Sequence, residues 1–324
     1  MKGTISIIVF LAMAFFGNAQ TDLEKLKNLK ARSIGPAGMS GRVTSIDVVR
    51  SRPNDILIGA ASGGVWRSTN GGTRWKPIFD EQEILNIGAV AFQQSNPAVM
   101  WVGTGEGNPR NSQSSGAGIY KSIDGGSTWN LMGLEGTKTI HRIIVHPQNP
   151  DVVFVASLGS AWGPNKERGV FKTTDGGENW EKILFINDTT GCADLVLDPQ
   201  NPNKLIAAMW QYERKPWFFK SGGAGSGLYI SYDAGKTWKK KNKHHGLPDS
   251  DFGRIGLAIA ASKPNIVYAL VESKKTALYR STNGGENWKI VSTENIGNRP
   301  FYYADIYVDP KNENRIFNLY SLVS

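Results

Sequence analysis

Three arginines each open an alternating apolar run: Arg42 in GRVTSI, Arg142 in HRIIVHP and Arg254 in GRIGLAIA. A guanidinium is a planar fork of donors that stays charged, so three forks brought to one level would grip a carboxylate, sulfate or phosphate. The alternative is that each fork is filled by a carboxylate of the chain itself, such as Glu106 or Asp194, and ties elements together. Glycine-rich stretches carry the rest of the polar and aromatic chemistry. GTGEGNPRNSQSSGAG holds Glu106 and Arg110, LGSAWGPNKER holds Trp162, Glu167 and Arg168, and MWQYERKPWFFKSGGAGSG holds Trp210, Tyr212, Glu213, Arg214 and Trp217. Glu106, between two glycines, is the best general-acid candidate, and it is equally suited to pairing with Arg42 or Arg142. Indole faces stack on sugar rings, or simply fill space above a scaffold. Arg42, Arg142, Arg254, Glu106, Arg110, Trp162 and Trp210 are therefore the expected ligand contacts, and no catalytic residue is assigned.

The elements that must position these residues are announced by a repeat. Five segments read alike: STNGGTRW ending at Trp75, SIDGGSTW at Trp129, TTDGGENW at Trp180, SYDAGKTW at Trp238 and STNGGENW at Trp288. The tryptophans are 54, 51, 58 and 50 residues apart, and the flanks alternate with β-branched residues, which fits one four-stranded propeller blade per period. The side chains of Asn70, Asp124, Asp175, Asp233 and Asn283 are expected to accept hydrogen bonds from backbone N–H groups of their own turn, with glycine supplying positive φ. Each tryptophan is expected to pack between neighbouring sheets. Both roles are structural, and an amide at two of the five positions argues against a catalytic acid.

A second mark recurs out of phase: SRPND, SNPAV, HPQNPD, DPQNPN, SKPNI and DPKNEN. Each separates two strand-like runs, as expected for the turn between the first and second strands of a blade. The third strand then runs into the box and the fourth starts at its tryptophan. The predicted fold is an all-β propeller of four-stranded antiparallel blades, five complete and a sixth that opens without a box. The interval from turn proline to box tryptophan is 22 residues for Pro53 to Trp75 and 24 for Pro264 to Trp288. It is 32, 30 and 36 for Pro97, Pro150 and Pro202 to their tryptophans, so three consecutive blades carry insertions between strands two and three. Such loops share a face with the starts of the first strands, opposite the boxes, and long loops on a rigid scaffold are where function concentrates.

The boxes match the Asp-box, or BNR repeat, of sialidases, two-propeller xyloglucanases, a photosystem assembly factor and sortilin receptors. From about Ser33 onward the chain resembles the bacterial sortilin-N-terminal-like (VPS10-like) Asp-box proteins, often labelled glycosyl hydrolases, in GPAGMSGRVTSI, SGGVWRST, GTGEGNPRN and LGSAWGPNKERGVFKTTDGG. The clustered loops and the three arginines point to an exported propeller that binds an anionic peptide, protein or carbohydrate at that face, in the manner the resemblance to sortilin-type recognition domains implies. The alternatives are an Asp-box glycoside hydrolase or a structural assembly module. The xyloglucanase segment resembling RTDxGGAYR corresponds here to AASGGVWR, where Ser62 stands in place of the acid. The sialidase-like FRIP segment is missing, and Arg42, Arg142 and Arg254 are the one echo of a sialidase arginine triad.

Composition bounds the rest. The chain has 324 residues and a net charge of +9, a mild bias at this length. Its single cysteine, Cys192, excludes an internal disulfide framework, and four histidines leave little for a metal cluster, so neither metal nor cofactor is implied. Lys2, the apolar run Ile5 to Phe16 and Gly17-Asn18-Ala19 form a signal peptide over residues 1–19. An N-terminal tether with a short helix at Leu23 to Lys30 fills 20–40, and the propeller takes 41–324 as the N-terminal part of a larger one. No run is long enough to span a bilayer, and the chain is expected in the periplasm, at the cell surface or outside the cell. The basic run from Lys239 to His245 reads as a solvated edge, not a nucleic-acid patch.

Overall fold

The computed structural model describes residues 42–297, 299–302 and 304–320. The signal peptide, the tether and its helix lie outside the described residues.

The described chain is all β: six antiparallel sheets follow one another in sequence order. The first four sheets begin with strands Val43–Val48, Ile87–Phe92, Ile140–Val145 and Thr190–Leu197. The fifth and sixth begin with Ile255–Ile259 and Ile306–Asp309. Four of the sheets have four strands, the fourth has five, and the sixth is a two-stranded hairpin among the described residues. The Pro/Asn turns fall between first and second strands, and the fourth strands start just after each tryptophan, at Lys76, Asn130, Glu181, Lys239 and Lys289.

Alternation along the strands explains why the sheets stack. The two faces of a strand point to opposite sides, so a sheet with apolar residues on both faces must be covered twice. Leu57 and Val65 of the first sheet meet Phe92 and Met100 of the second. Trp101 and Ile119 on the second sheet's other face meet Val153 and Phe171 of the third. Phe154 and Val170 then meet Leu205 and Met209 of the fourth, and the pattern continues to Ile306 and Ile316 of the sixth. The core is thus a series of layers between successive sheets, each fully buried aliphatic side chain contributing about 1.5–3 kcal/mol. The first strands share one environment, because residues of all six line a single cavity of about 430 Å³.

The boxes are built as the residues require. Ser122 Oγ donates to Asp124 Oδ1 at 2.8 Å, and that oxygen accepts the N–H groups of Ser127 and Thr128 at 3.0 and 2.9 Å. Asn70 accepts from Arg74 N, Asp175 from Asn179 N, Asp233 from Thr237 N and Asn283 from Asn287 N. The next residue takes a left-handed conformation in every box, φ 68, 77, 74 and 73 at Gly71, Gly125, Gly176 and Gly284, and 57 at Ala234. Three indoles reach back to the preceding sheet: Trp129 Nε1 donates to Ile78 O, Trp180 Nε1 to Met132 O and Trp238 Nε1 to Ile183 O. Trp288 is buried between the fourth and fifth sheets, whereas Trp75, on the first sheet, is 38% exposed.

Candidate functional site

The starts of the first strands and the three insertions share one face, as the alternation of strand direction dictates. The insertions lie between Thr104 and Ile119, between Ser157 and Gly169, and between Lys215 and Gly227. In the third of these the second strand runs on to Lys215 and folds back through Phe218–Ser221, making a projecting hairpin.

Carboxylates fill two of the three arginine forks. Arg42 Nε donates to Glu106 Oε1 at 2.8 Å and Nη2 to Oε2 at 2.6 Å, joining the start of the first sheet to the second sheet's insertion. Glu106 is fully buried. Arg142 Nε donates to Asp194 Oδ1 at 2.9 Å and Nη2 to Asp305 Oδ1 at 2.6 Å, binding the third sheet to the fourth and to the entry of the sixth. Burial works against the Arg142 cation, but Asp194 and Asp305 override it and hold the guanidinium above the ordinary arginine value. Arg254 is 1% exposed; its Nη1 donates to Asn108 Oδ1 at 3.1 Å and Phe301 O at 3.2 Å. Its Nη2 lies 2.8 Å from His141 Nε2. Burial, with Arg142 and Arg254 alongside, holds His141 well below the ordinary histidine value, so the ring is neutral. A neutral ring accepting at Nε2 carries its hydrogen on Nδ1, an assignment made from this hydrogen-bond geometry.

Of the two readings of these arginines, the structure brings Arg42 and Arg142 to carboxylates of the chain itself, and it engages Arg254 with Asn108, Phe301 and His141. Both carboxylate oxygens of Glu106 accept from Arg42, the pairing that its sequence setting also allowed. The expectation of Trp210 as a ligand contact is corrected, since it is fully buried and stacked on Tyr212 with ring centroids 4.3 Å apart, while Nε1 donates to Ser221 Oγ. Trp162 remains 38% exposed, and Arg110 is exposed with its guanidinium 5.9 Å from the Tyr302 ring centre. Among the described residues the most open aromatic is Trp217, 82% exposed at the tip of the projecting hairpin. The basic run is partly neutralised, since buried Lys241 pairs with Glu286 at 2.7 Å and Lys243 with Asp249 at 3.1 Å.

Sequence reasoning missed the segment entering the sixth sheet, where Arg299, Phe301 and Tyr302 join Arg110, Arg214 and Phe219 around one crevice. The signal was the string NRPFYY, which precedes a first strand and so must emerge on this same face.

The Sortilin-Vps10 family model (sortilin, neurotensin receptor 3) matches residues 63–193 and 117–244, overlapping stretches that together take in more than half of the chain. The chain belongs to the Sortilin-Vps10 family. Among curated proteins it is also similar to the xyloglucanase Xgh74A of Acetivibrio thermocellus, 25% identical over 189 residues, which cover 50% of this chain and 21% of that one. A probable oligoxyloglucan-reducing end-specific xyloglucanase of Neosartorya fischeri is 32% identical over 103 residues, 31% of this chain and 12% of the relative. This Sortilin-Vps10 chain therefore spans a minor part of the curated relatives it matches. Among solved structures, the GH74 enzyme of Niastella koreensis superposes with a TM-score of 0.64 at 19% identity, over 86% of this chain and 44% of that one. An ancestral GH74 enzyme gives 0.62 at 22% identity, over 84% and 33%. Both likenesses concern the fold.

Proposed function

We propose that this chain is a glycoside-hydrolase-like β-propeller module that engages a glycan across the face bearing its insertions. In this architecture the five sheets carrying boxes are blades, the hairpin at Ile306 opens a sixth, and the cavity lined by the first strands is the central channel. The carrying observation is the pair of exposed indoles, Trp162 and Trp217, on loops of adjacent sheets. A large aromatic left in water on a rigid hairpin costs solvation that a sugar face would recover. The similarity to xyloglucanases supports a glycan as the ligand.

The chain's own part in such a site is binding. Glu106, Asp194 and Asp305 are held by arginines, and Glu272 Oε2 accepts from Ser221 Oγ and Arg254 N. A glycosidase needs two placed carboxylates with freedom to exchange protons, so these four act as struts. Family membership favours a second reading, capture of an extended peptide on the same face. Export, through the signal peptide of residues 1–19, suits both.

Affinity electrophoresis of the purified protein in gels containing xyloglucan tests the proposal, with reducing-end release assayed alongside. Retardation that falls about tenfold in Trp162→Ala and Trp217→Ala at unchanged melting temperature is the expected result. Equal mobility with and without polysaccharide, for xyloglucan and a panel of neutral and acidic glycans, would sink it.

A further inference from the structure

The crevice formed by Arg110, Arg214, Arg299, Phe219, Phe301 and Tyr302 has a volume of about 600 Å³, within the range of ligand clefts. Its three guanidiniums lie against aromatic rings: Arg110 5.9 Å from the Tyr302 centre, Arg299 5.7 Å from the same centre and 5.5 Å from Phe301, and Arg214 5.2 Å from Phe219. A ring face attracts the cation without taking a conventional hydrogen bond, so the guanidinium N–H groups stay available to other acceptors. Among the described residues no carboxylate pairs with any of the three, and no acidic residue lines the crevice. Arg214 Nε is shielded from water and has no hydrogen-bond partner among the described residues. Three like charges gathered without a counter-charge repel one another, and a bound anion relieves that repulsion.

The crevice is also braced from below. Buried Arg254 donates to Asn108 Oδ1 and Phe301 O, one on each of the two segments that carry Arg110 and Arg299. Phe301 packs on Phe219 with centroids 4.9 Å apart, and Phe219 in turn on buried Trp210 at 6.3 Å. Braced segments hold the donors in place before a ligand arrives, which lowers the ordering cost of binding. The hairpin that supplies Arg214 and Phe219 carries Trp217 at its tip, so an open indole stands beside the cationic crevice.

We propose that this crevice binds a carboxylate-bearing glycan, Arg110, Arg214 and Arg299 receiving uronate carboxylates while Trp217 takes a neighbouring sugar face. The inference rests on the glycan reading above and adds the chemical class of the ligand. Arg254 acts in it as a positioning residue.

The full chain is titrated calorimetrically with polygalacturonate, fully methyl-esterified polygalacturonate, xyloglucan and poly-L-glutamate, at low and raised salt. Polygalacturonate binding that weakens with salt is expected, with little binding of the ester. Arg110→Ala and Arg299→Ala should each cost about tenfold or more in affinity, since each removes charge-assisted hydrogen bonds, and Arg299→Lys should recover part of it. Both side chains are exposed, so the melting temperature should hold. Undiminished polygalacturonate binding in the double alanine variant, or equal binding of the ester, overturns the anionic assignment and leaves the glycan reading standing. Xyloglucan bound with polygalacturonate ignored has the same meaning. Poly-L-glutamate bound with every polysaccharide ignored overturns both in favour of an acidic peptide.

Discussion

Arg42 and Glu106, 64 residues apart, meet in a two-pronged bond of 2.8 and 2.6 Å that joins the first sheet to the second sheet's insertion. Its two ends are unequal: the arginine side chain is 29% exposed and the glutamate is wholly buried. Removing the arginine strands a buried charge, whereas removing the glutamate leaves a cation that water can reach. Arg42→Ala should therefore destabilise by about 3 kcal/mol and Glu106→Gln by distinctly less. Urea unfolding of both variants measures this asymmetry, and equal losses would contradict it.

Two tryptophans, one on the fourth sheet's second strand and one at the tip of the hairpin that extends it, should part company. Trp210 is sealed beneath the face, stacked on Tyr212 and bonded to Ser221, so Trp210→Ala should cost about 3–5 kcal/mol. Trp217 stands in water, and Trp217→Ala should stay within about 0.5 kcal/mol while weakening glycan retention. Thermal melts set beside affinity electrophoresis separate the two roles.

These residues also mark the limits of what could be read from the chain alone. The sheets were legible because their signals are local: box turns, proline turns and alternating runs each lie within about ten residues. The insertions were legible as differences in spacing. Which arginines are spent was not, because Arg42 finds Glu106 and Arg142 finds Asp305 through the stacking of sheets far apart in sequence. Trp210 and Trp217 look equivalent in the string MWQYERKPWFF, and the hairpin pairing of Tyr212 with Ser221 buries one and lifts the other. Arg299 escaped notice because it stands outside every repeat.

The box side chains should tolerate an amide and not an alkane. Thr128 and Ser122, through backbone and hydroxyl donors, hold the Asp124 carboxyl down at about 2. Asn already fills the equivalent place at 70 and 283, accepting the same backbone bond. Asp124→Asn should melt near wild type, and Asp124→Ala about 2–4 °C lower. Because the folded value lies below the unfolded one, the charge's contribution is present above about pH 4 and is lost as pH falls toward 2. The acid limb of the melting profile should be shallower in Asp124→Asn.

The fourth box departs from the others by placing Ala234 at φ 57 where they have glycine. A side chain in the left-handed region costs about 1–2 kcal/mol, offset here by the methyl's contact with the layer between third and fourth sheets. Ala234→Gly should raise stability by about 0.5–1 kcal/mol, measured by urea unfolding.

His141 gives the face a pH limit at milder acidity. It is buried beside Arg142 and Arg254, and its Nε2 faces the Arg254 guanidinium at 2.8 Å, so a proton there would place cation against cation. The unfolded chain takes up that proton near pH 6.5 and the folded chain well below it. Stability is therefore intact above about pH 6.5 and falls as pH drops from there, by up to about 1.4 kcal/mol per pH unit. His146, lowered by partial burial and by Lys172, adds a weaker slope of the same sign. His141→Gln, which keeps an acceptor for Arg254 and cannot charge, should flatten most of the slope between pH 6.5 and 5. Because the folded ring stays neutral through this window, the Arg254 brace on Asn108 and Phe301 should persist there, and the pH effect should appear in the unfolding midpoint and not in the folded protein's ligand retention.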